Sequence, residues 1–473
     1  MTINQDCIDN DQVVMWQGAK DFSNGIFHVP LYYGQDYNTM FEALIAVPLV
    51  LCKTPIYWAV PIATHILFIF PFLFSAFYLF KNKFKYQAIF VLAILLCLPV
   101  GFDIMTSIPR GFVTGLFFTS FFIISVHNPN SFKWLAINTF FGGLAYIFNP
   151  NSLVVSAPLL SFLFLFNYKN KKYYLVTFAS LSPVILLLFY IKYFYSHYES
   201  PLVYGLTNEF SIAALKDSIA NIGKRFMHVS FFGEGYSGLS LLIIITLAIS
   251  FFNKNIKIFL AFLAFLLIIF ISLCTSKSAD GAEWAFYSYS RLYIGIPIFI
   301  YLFISLLELK KVIVPIIVIT LIFSFIKAVG FKEAINYHSQ EKKWNHLNLI
   351  SLRDLKECVN TYTHFAHENK TTHFIVDHVW RDDFLNYASE VINPDFPLTF
   401  KPSYERRSWL ITENKERVIE RFLIIIRDPK QIEDLNNSNI FKLDDYGLYL
   451  VTNNKKPLSK FLNTINCSIY YGN

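Results

Sequence analysis

Charge is scarce in this chain of 473 residues: Asp, Glu, Lys and Arg make up 15%, against 55% hydrophobic and 18% aromatic residues. A soluble globular chain carries about 25% charged residues and about 45–50% apolar ones, so this balance excludes a water-soluble domain as the whole story. Also missing is any Cys-x-x-Cys pair. Of the six cysteines, Cys52, Cys97 and Cys274 lie in or beside apolar segments, which indicates neither a zinc site nor a disulfide framework. Only Cys358 and Cys467 stand as a candidate pair, and only in an oxidising compartment. No Gly-x-Gly-x-x-Gly or Walker sequence follows a strand candidate, which argues against nucleotide binding. The opening MTINQDCIDN offers no apolar stretch for a signal peptide or membrane span. The formal charge of +7 resides partly in lysines between apolar runs, so no nucleic-acid partner is expected.

What is abundant is Phe, Ile, Leu and Tyr, in runs that recur until residue 330. Candidate spans cover 56–80, 86–100, 111–126, 131–148, 152–167, 173–195, 236–252, 256–274, 291–308 and 312–330. A helix needs about 20 residues to cross the hydrocarbon, so the shorter ones must borrow flanking Tyr, Asn and Ser. Basic loops at 81–85, 127–133, 167–172, 253–257 and 308–311 fall between alternate pairs of spans and belong in the cytoplasm. Both termini are then external. The expected fold is an α-helical polytopic membrane protein of about ten spans. It divides into an external acidic region (1–55), a transmembrane domain (56–330) and a small external α/β domain (331–473). In the last, helical stretches at 349–368, 381–390 and 429–436 alternate with strand candidates at 372–377, 421–427 and 447–452. The Pro-punctuated VINPDFPLTFKPSYERRSW (391–409) reads as a connection, either a stabilising cap or a ligand-recognition element or lid, and 453–473 as loosely ordered.

Against this greasy background, residues 8–47 hold five acids: Asp9, Asp11, Asp21, Asp36 and Glu42. Asp9 or Asn10 suits a helix cap, with Gln12 completing an Asp-x-x-Gln box, and a cap there places Asp11 in the first turn, where the helix dipole favours its ionised form. Glu42 opens an apolar helical run; it either coordinates a divalent ion or orients a ligand at the outer boundary, or is a solvated residue of the first turn. Asp103 is the one carboxylate in the second external loop and reads either as a site residue or as an interfacial residue beside a Pro turn. Arg110 and Arg291, at external helix ends, suit phosphate oxygens through their planar forks; the alternative is snorkelling to lipid headgroups. His228, beside Lys224 and Arg225, reads as structural.

The pattern DNDQVVMWQGAKDFSNG…LYYGQDYNTMFEALIAVPL resembles the first external loop of the GT-C glycosyltransferases, integral-membrane enzymes that take sugar from a polyprenyl-phosphate carrier. The likeness is to the bacterial family 39, or protein-mannosyltransferase-like, group. It rests on Asp11, Gln12, Ala19, Gly25, Tyr33, Gly34, Gln35, Tyr37 and Glu42, with looser matches at FNPNSLVVSAP (148–158), SRLYIGIPIF (290–299) and VWRDDF (379–384). The resemblance implies an inverting transferase of the bacterial inner membrane whose active site faces the periplasm. It makes Asp11 the catalytic base and places Tyr33, Gln35, Tyr37, Glu42, Asp103, Arg110 and Arg291 at the substrate. The implied partners are the lipid-linked donor, the bilayer and an acceptor glycan, lipid or protein; a divalent cation, Mg or Mn, is an open expectation, with Glu42 as its candidate ligand. Members of the family carry a membrane helix just before the catalytic Asp, so the expectation is either that one lies upstream of this sequence or that the short polar tail is translocated with the first hairpin. The competing classes are a transporter or lipid flippase, for which mid-membrane ionisable residues and an inverted repeat are wanting, and an inactive scaffold.

Overall fold

A computed structural model describes residues 5–198, 205, 209–231, 237–252, 254–307, 349–377, 383–402, 405–426, 428–433, 439–443 and 447–467, with isolated positions between 315 and 326. The chain forms two compact units, one of residues 1–60, 194–206 and 338–473, the other of residues 61–193 and 207–337.

The second unit is helical. By length and composition four helices can cross a membrane: Ile56–Lys81, Pro150–Asn167, Lys171–Ser196 and Ile256–Leu273. Eight of the ten expected spans coincide with helices that fill most of their length or, in one case, with a broken helix; the ninth is shorter than expected, and the tenth, 312–330, lies outside the described residues save for isolated positions. The shortfalls have local causes. Lys85–Cys97 stops at Leu98–Pro99, and the next helix, Val100–Ser107, departs at 92° because proline supplies no N–H to continue the ladder. Residues 114–127 break at a 3₁₀ turn over Thr119–Phe121, where the Thr119 hydroxyl bonds back to the Leu116 carbonyl at 2.6 Å. The expected span at 291 begins instead at Ile296, after a 3₁₀ turn over Tyr289–Tyr293. Tight packing uses glycine where needed: a Cβ on Gly101 would lie 1.9 Å from His228 Nδ1, and one on Gly115 2.8 Å from the Ala145 carbonyl.

The first unit joins the acidic stretch to the C-terminal region. Its opening helix, Asn10–Ser23, is capped by Asp9, whose Oδ1 accepts from the Gln12 N–H at 2.9 Å. The reciprocal half of the expected box does not form, because the Gln12 side chain donates to the Cys7 carbonyl at 3.1 Å. The next helix, Phe41–Leu51, packs on the first so closely that a Cβ on Gly18 would lie 2.3 Å from Met40 Cε and 3.5 Å from Ala43 Cβ. Glu42 is fully buried on this face, which overturns its reading as a solvated residue.

The C-terminal region is a five-stranded sheet in the order β2-β1-β3-β5-β4, with β1 His373–Asp377, β2 Leu398–Phe400, β3 Phe422–Ile426, β4 Ile440–Lys442 and β5 Leu448–Val451. β1 pairs in parallel with β2 and β3, and β5 pairs antiparallel with β3 and β4. FLIII of β3 is buried throughout, as a central strand covered on both faces requires. Sequence patterning missed β2 and β4, each three residues long. Helix Leu352–Glu368 precedes the sheet, and helix Asp383–Ile392 carries the chain from β1 to β2 and packs against Asn10–Ser23. The tail is more ordered than its composition suggested: Leu458, Phe461 and Leu462 of helix Leu458–Thr464 are buried in the sheet core with Ile424 and Tyr449. No disulfide joins Cys358, which is half-buried, to Cys467, which is buried, so the candidate pair does not form.

Candidate functional site

Two clusters gather the residues singled out above, one in each unit. In the first unit, the Asp9 cap holds Asp11 in the opening turn of its helix, with its side chain 26% exposed. Asp11 Oδ1 accepts from Arg406 Nη1 at 2.6 Å, an ion pair between residues 395 apart in sequence. Tyr32 serves both partners: its hydroxyl donates to the Asp11 backbone carbonyl at 2.6 Å, and its ring lies 5.9 Å from the Arg406 guanidinium carbon.

The YYGQ turn explains its glycine. The Gln35 N–H donates to the Tyr32 carbonyl at 2.9 Å, and Gly34, third in that turn, has φ +74°, a conformation that side chains other than glycine's seldom take. A Cβ there would also lie 2.9 Å from both Cα and Cβ of Arg406. Tyr33 is buried and donates its hydroxyl to Asp21 Oδ2 at 2.8 Å, while Gln17 donates to Asp21 Oδ1 at 3.0 Å. Burial raises the Asp21 carboxyl above its usual range, the Tyr33 hydrogen bond and the nearby His28 opposing it. His28, lowered by burial, stacks on Trp409 with ring centroids 4.0 Å apart. Gln35 contributes its carbonyl, which accepts from the Tyr195 hydroxyl at 3.2 Å, and Tyr37 is half-buried. Tyr33 and Gln35 therefore build the scaffold around Asp11 through their backbone turn and through Asp21.

The segment bearing Arg406 is held from both sides. Glu405, fully buried as a side chain, accepts from the Lys401 N–H at 2.8 Å, Asn386 Nδ2 at 2.7 Å and the Arg407 N–H at 2.8 Å. Arg407, also buried, donates to the Thr399 carbonyl at 2.6 Å and pairs with Glu405 at 3.4 Å. Burial opposes the Arg407 charge, but Glu405 and Glu390 more than reverse that, so it stays cationic. The described part of the expected connection at 391–409 thus contains β2 and the buried Glu405–Arg407 pair.

In the second unit two of the looser sequence matches, 148–158 and 290–299, and the loop after Asp103 converge. Asn149 caps the 3₁₀ turn Pro150–Ser152, its Nδ2 donating to the Gly111 carbonyl at 2.8 Å, and Asn151 Nδ2 donates to the Arg291 carbonyl at 3.1 Å. Arg291 is 4% exposed; it pairs with Asp280 Oδ2 at 3.2 Å and lies 4.2 Å from the Tyr287 ring centroid. Arg110, 9% exposed, approaches the same ring at 5.9 Å. Both arginines are covered by protein, which overturns their reading as snorkelling side chains. Asp280 also accepts from Lys277 at 2.7 Å and from the Tyr287 hydroxyl at 2.6 Å. Burial pulls the Asp280 carboxyl up, but these hydrogen bonds and Arg291 hold it below its ordinary range; burial pushes the Tyr287 phenol up to about 12. Asp103 is half-buried in the first turn of Val100–Ser107. His228 is buried, its Nε2 2.9 Å from the Glu283 carbonyl and its ring packed on Gly101, a structural role as expected.

Arg406, Tyr32, Asp280 and Tyr287 were missed from sequence. The VWRDDF match falls mostly on residues outside those described. Among the described residues no group of three or more His, Cys, Asp or Glu is placed to hold a metal ion.

No protein-family model matches this chain, and no curated protein sequence does. The fold, among the described residues, is a set of apolar helices followed by a small sheet. It is similar to the crystal structure of ArnT from Cupriavidus metallidurans in the apo state, with a TM-score of 0.56 over 96% of this chain and 95% of that one. At 10% sequence identity, this likeness speaks for the fold alone.

Proposed function

We propose that the protein is an inverting glycosyltransferase of the bacterial inner membrane that moves a sugar from a polyprenyl-phosphate carrier to an acceptor hydroxyl on the periplasmic face. The observation that carries this reading is a half-exposed, ion-paired carboxylate, Asp11, fixed in the first turn of a capped helix on a fold shared with ArnT. The acceptor is a hydroxyl of a glycan, a lipid or a protein.

In the reaction the acceptor oxygen forms a bond to the anomeric carbon while the bond from that carbon to the phosphate oxygen breaks. The acceptor proton passes to an Asp11 carboxylate oxygen, and the polyprenyl phosphate departs as an anion that needs no proton. General-base assistance of this kind supplies about 10² to 10⁴ in rate. Attack opposite the leaving group inverts the anomeric centre. Arg110 and Arg291 are assigned to the departing phosphate, whose developing charge a guanidinium fork stabilises. Glu42, Asp103 and Tyr37 are assigned to orienting substrate, and Tyr33 and Gln35 to the turn that holds Asp11 in place.

The test uses membranes containing the full chain, supplied with polyprenyl-phosphate sugar radiolabelled in the sugar. The expected result is label in an acceptor with inverted anomeric configuration, read by NMR. Solute or lipid flux across vesicles without sugar transfer would overturn the proposal in favour of a transporter.

A further inference from the structure

We propose that Arg406 is the positioning residue for the Asp11 carboxylate, so that the C-terminal α/β region is a working part of the transfer site; this rests on the reading of Asp11 as base. Three features of the first unit lead there. The first is selective presentation within Glu405-Arg406-Arg407. Glu405 and Arg407 have side chains 0% and 3% exposed and spend their polar atoms on Lys401, Asn386, Thr399 and each other, whereas Arg406 alone turns to Asp11. The buried pair thus fixes the backbone on both sides of the residue that reaches the carboxylate.

The second feature is the close approach at Gly34. A side chain there would collide with the backbone of Arg406 rather than with a movable chain end, at 2.9 Å from its Cα. The YYGQ turn and Arg406 are therefore fitted to each other, and the turn delivers Tyr32 to the same place. The third is Tyr32 itself, which holds the Asp11 carbonyl at 2.6 Å while its ring lies beside the guanidinium, so one side chain sets the spacing of the pair.

A second bridge between the same two parts shows what a plain tether looks like. Lys20 pairs with Glu390 at 2.9 Å, with side chains 27% and 19% exposed, and touches no residue assigned to the reaction. Arg406 differs in chemistry as well as place. A guanidinium against a carboxylate keeps the latter ionised, hence able to take a proton, to lower pH, and it fixes which oxygen faces outward. A misplacement of about 1 Å in a reacting group can cost about 10²-fold, which is the scale at which orientation matters here.

The experiment compares wild type with R406Q, R406K, K20Q and D11N in the full chain, in membranes supplied with radiolabelled polyprenyl-phosphate sugar, with protein amounts matched. R406Q is expected to lose about 10- to 100-fold in kcat with little change in KM for the lipid-linked sugar. The acidic limb of its pH–rate profile should move to higher pH. R406K, which keeps the charge without the fork, should retain the wild-type acidic limb and lose about 5- to 10-fold in kcat. It also carries the test should R406Q fail to accumulate. K20Q should match wild type in both. Wild-type kcat in R406Q or R406K, or a loss shared equally by K20Q, overturns the positioning role while an inactive D11N leaves the base assignment standing. Wild-type transfer by D11N overturns the Asp11 reading itself.

Discussion

Each unit contains an arginine–aspartate pair beside a tyrosine, but the two are assembled differently. In the second unit Arg291 and Asp280 lie 11 residues apart, with Tyr287 between them in sequence, so one short segment folds on itself to make the pair. In the first unit Asp11 and Arg406 come from opposite ends of the chain. The exposures run the same way in both: the arginine is the more buried partner, 5% against 43% in the local pair and 12% against 26% in the distant one.

The first way to break this contrast is to loosen what holds the distant pair. Arg407→Met leaves Glu405 buried without its cation, and loss of one partner of a buried ion pair typically costs about 3–5 kcal/mol. Thermal unfolding in detergent should show a large drop in the first unit. A melting temperature equal to wild type would mean that this pair does not anchor the segment. A smaller effect is expected from Gly34→Ala. Left-handed backbone costs a non-glycine residue about 1–2 kcal/mol, and the clash with the Arg406 backbone adds to it. Transfer should fall together with stability; an unchanged rate would show that the turn and Arg406 are not fitted to one another.

The smallest effect belongs to the local pair and is read by pH. The folded-state carboxyl of Asp280 lies below its unfolded value of about 3.9, so its contribution is fully present above that value and is lost as pH falls through the folded one. Stability should therefore decline in acid, and Asp280→Asn should flatten that part of the curve. An identical acid response in the variant would contradict the pairing seen in the loop.

Sequence reading found one member of each pair and missed the other, for physical reasons. Asp11 stood out because the acidic stretch and the YGQDY context resemble a known first external loop, and a cap at Asp9 placed it in the first helical turn. Arg406 gave no such signal. Its role arises from an approach of two segments 395 positions apart, and among three charged residues in a row nothing local tells which one faces Asp11. Arg291 was legible as an arginine at a helix start, whereas Asp280 was hidden in a loop whose 3₁₀ turns have no periodicity to read. The apolar spans were legible because lipid imposes a length and a composition, and they fell short where Pro99 or hydroxyl side chains broke the ladder. The solvated reading of Glu42 failed because Gly18 brings its helix against the first one, a contact that single-segment patterns do not contain.

The central claim is that the Asp11 carboxylate takes the acceptor proton. The most direct measurement is sugar transfer by Asp11→Asn, at wild-type abundance in the membrane, from radiolabelled polyprenyl-phosphate sugar. A loss of about 10²-fold or more is predicted, because the amide keeps the shape and hydrogen-bonding reach of the side chain but cannot act as the base. Transfer at the wild-type rate would contradict the account.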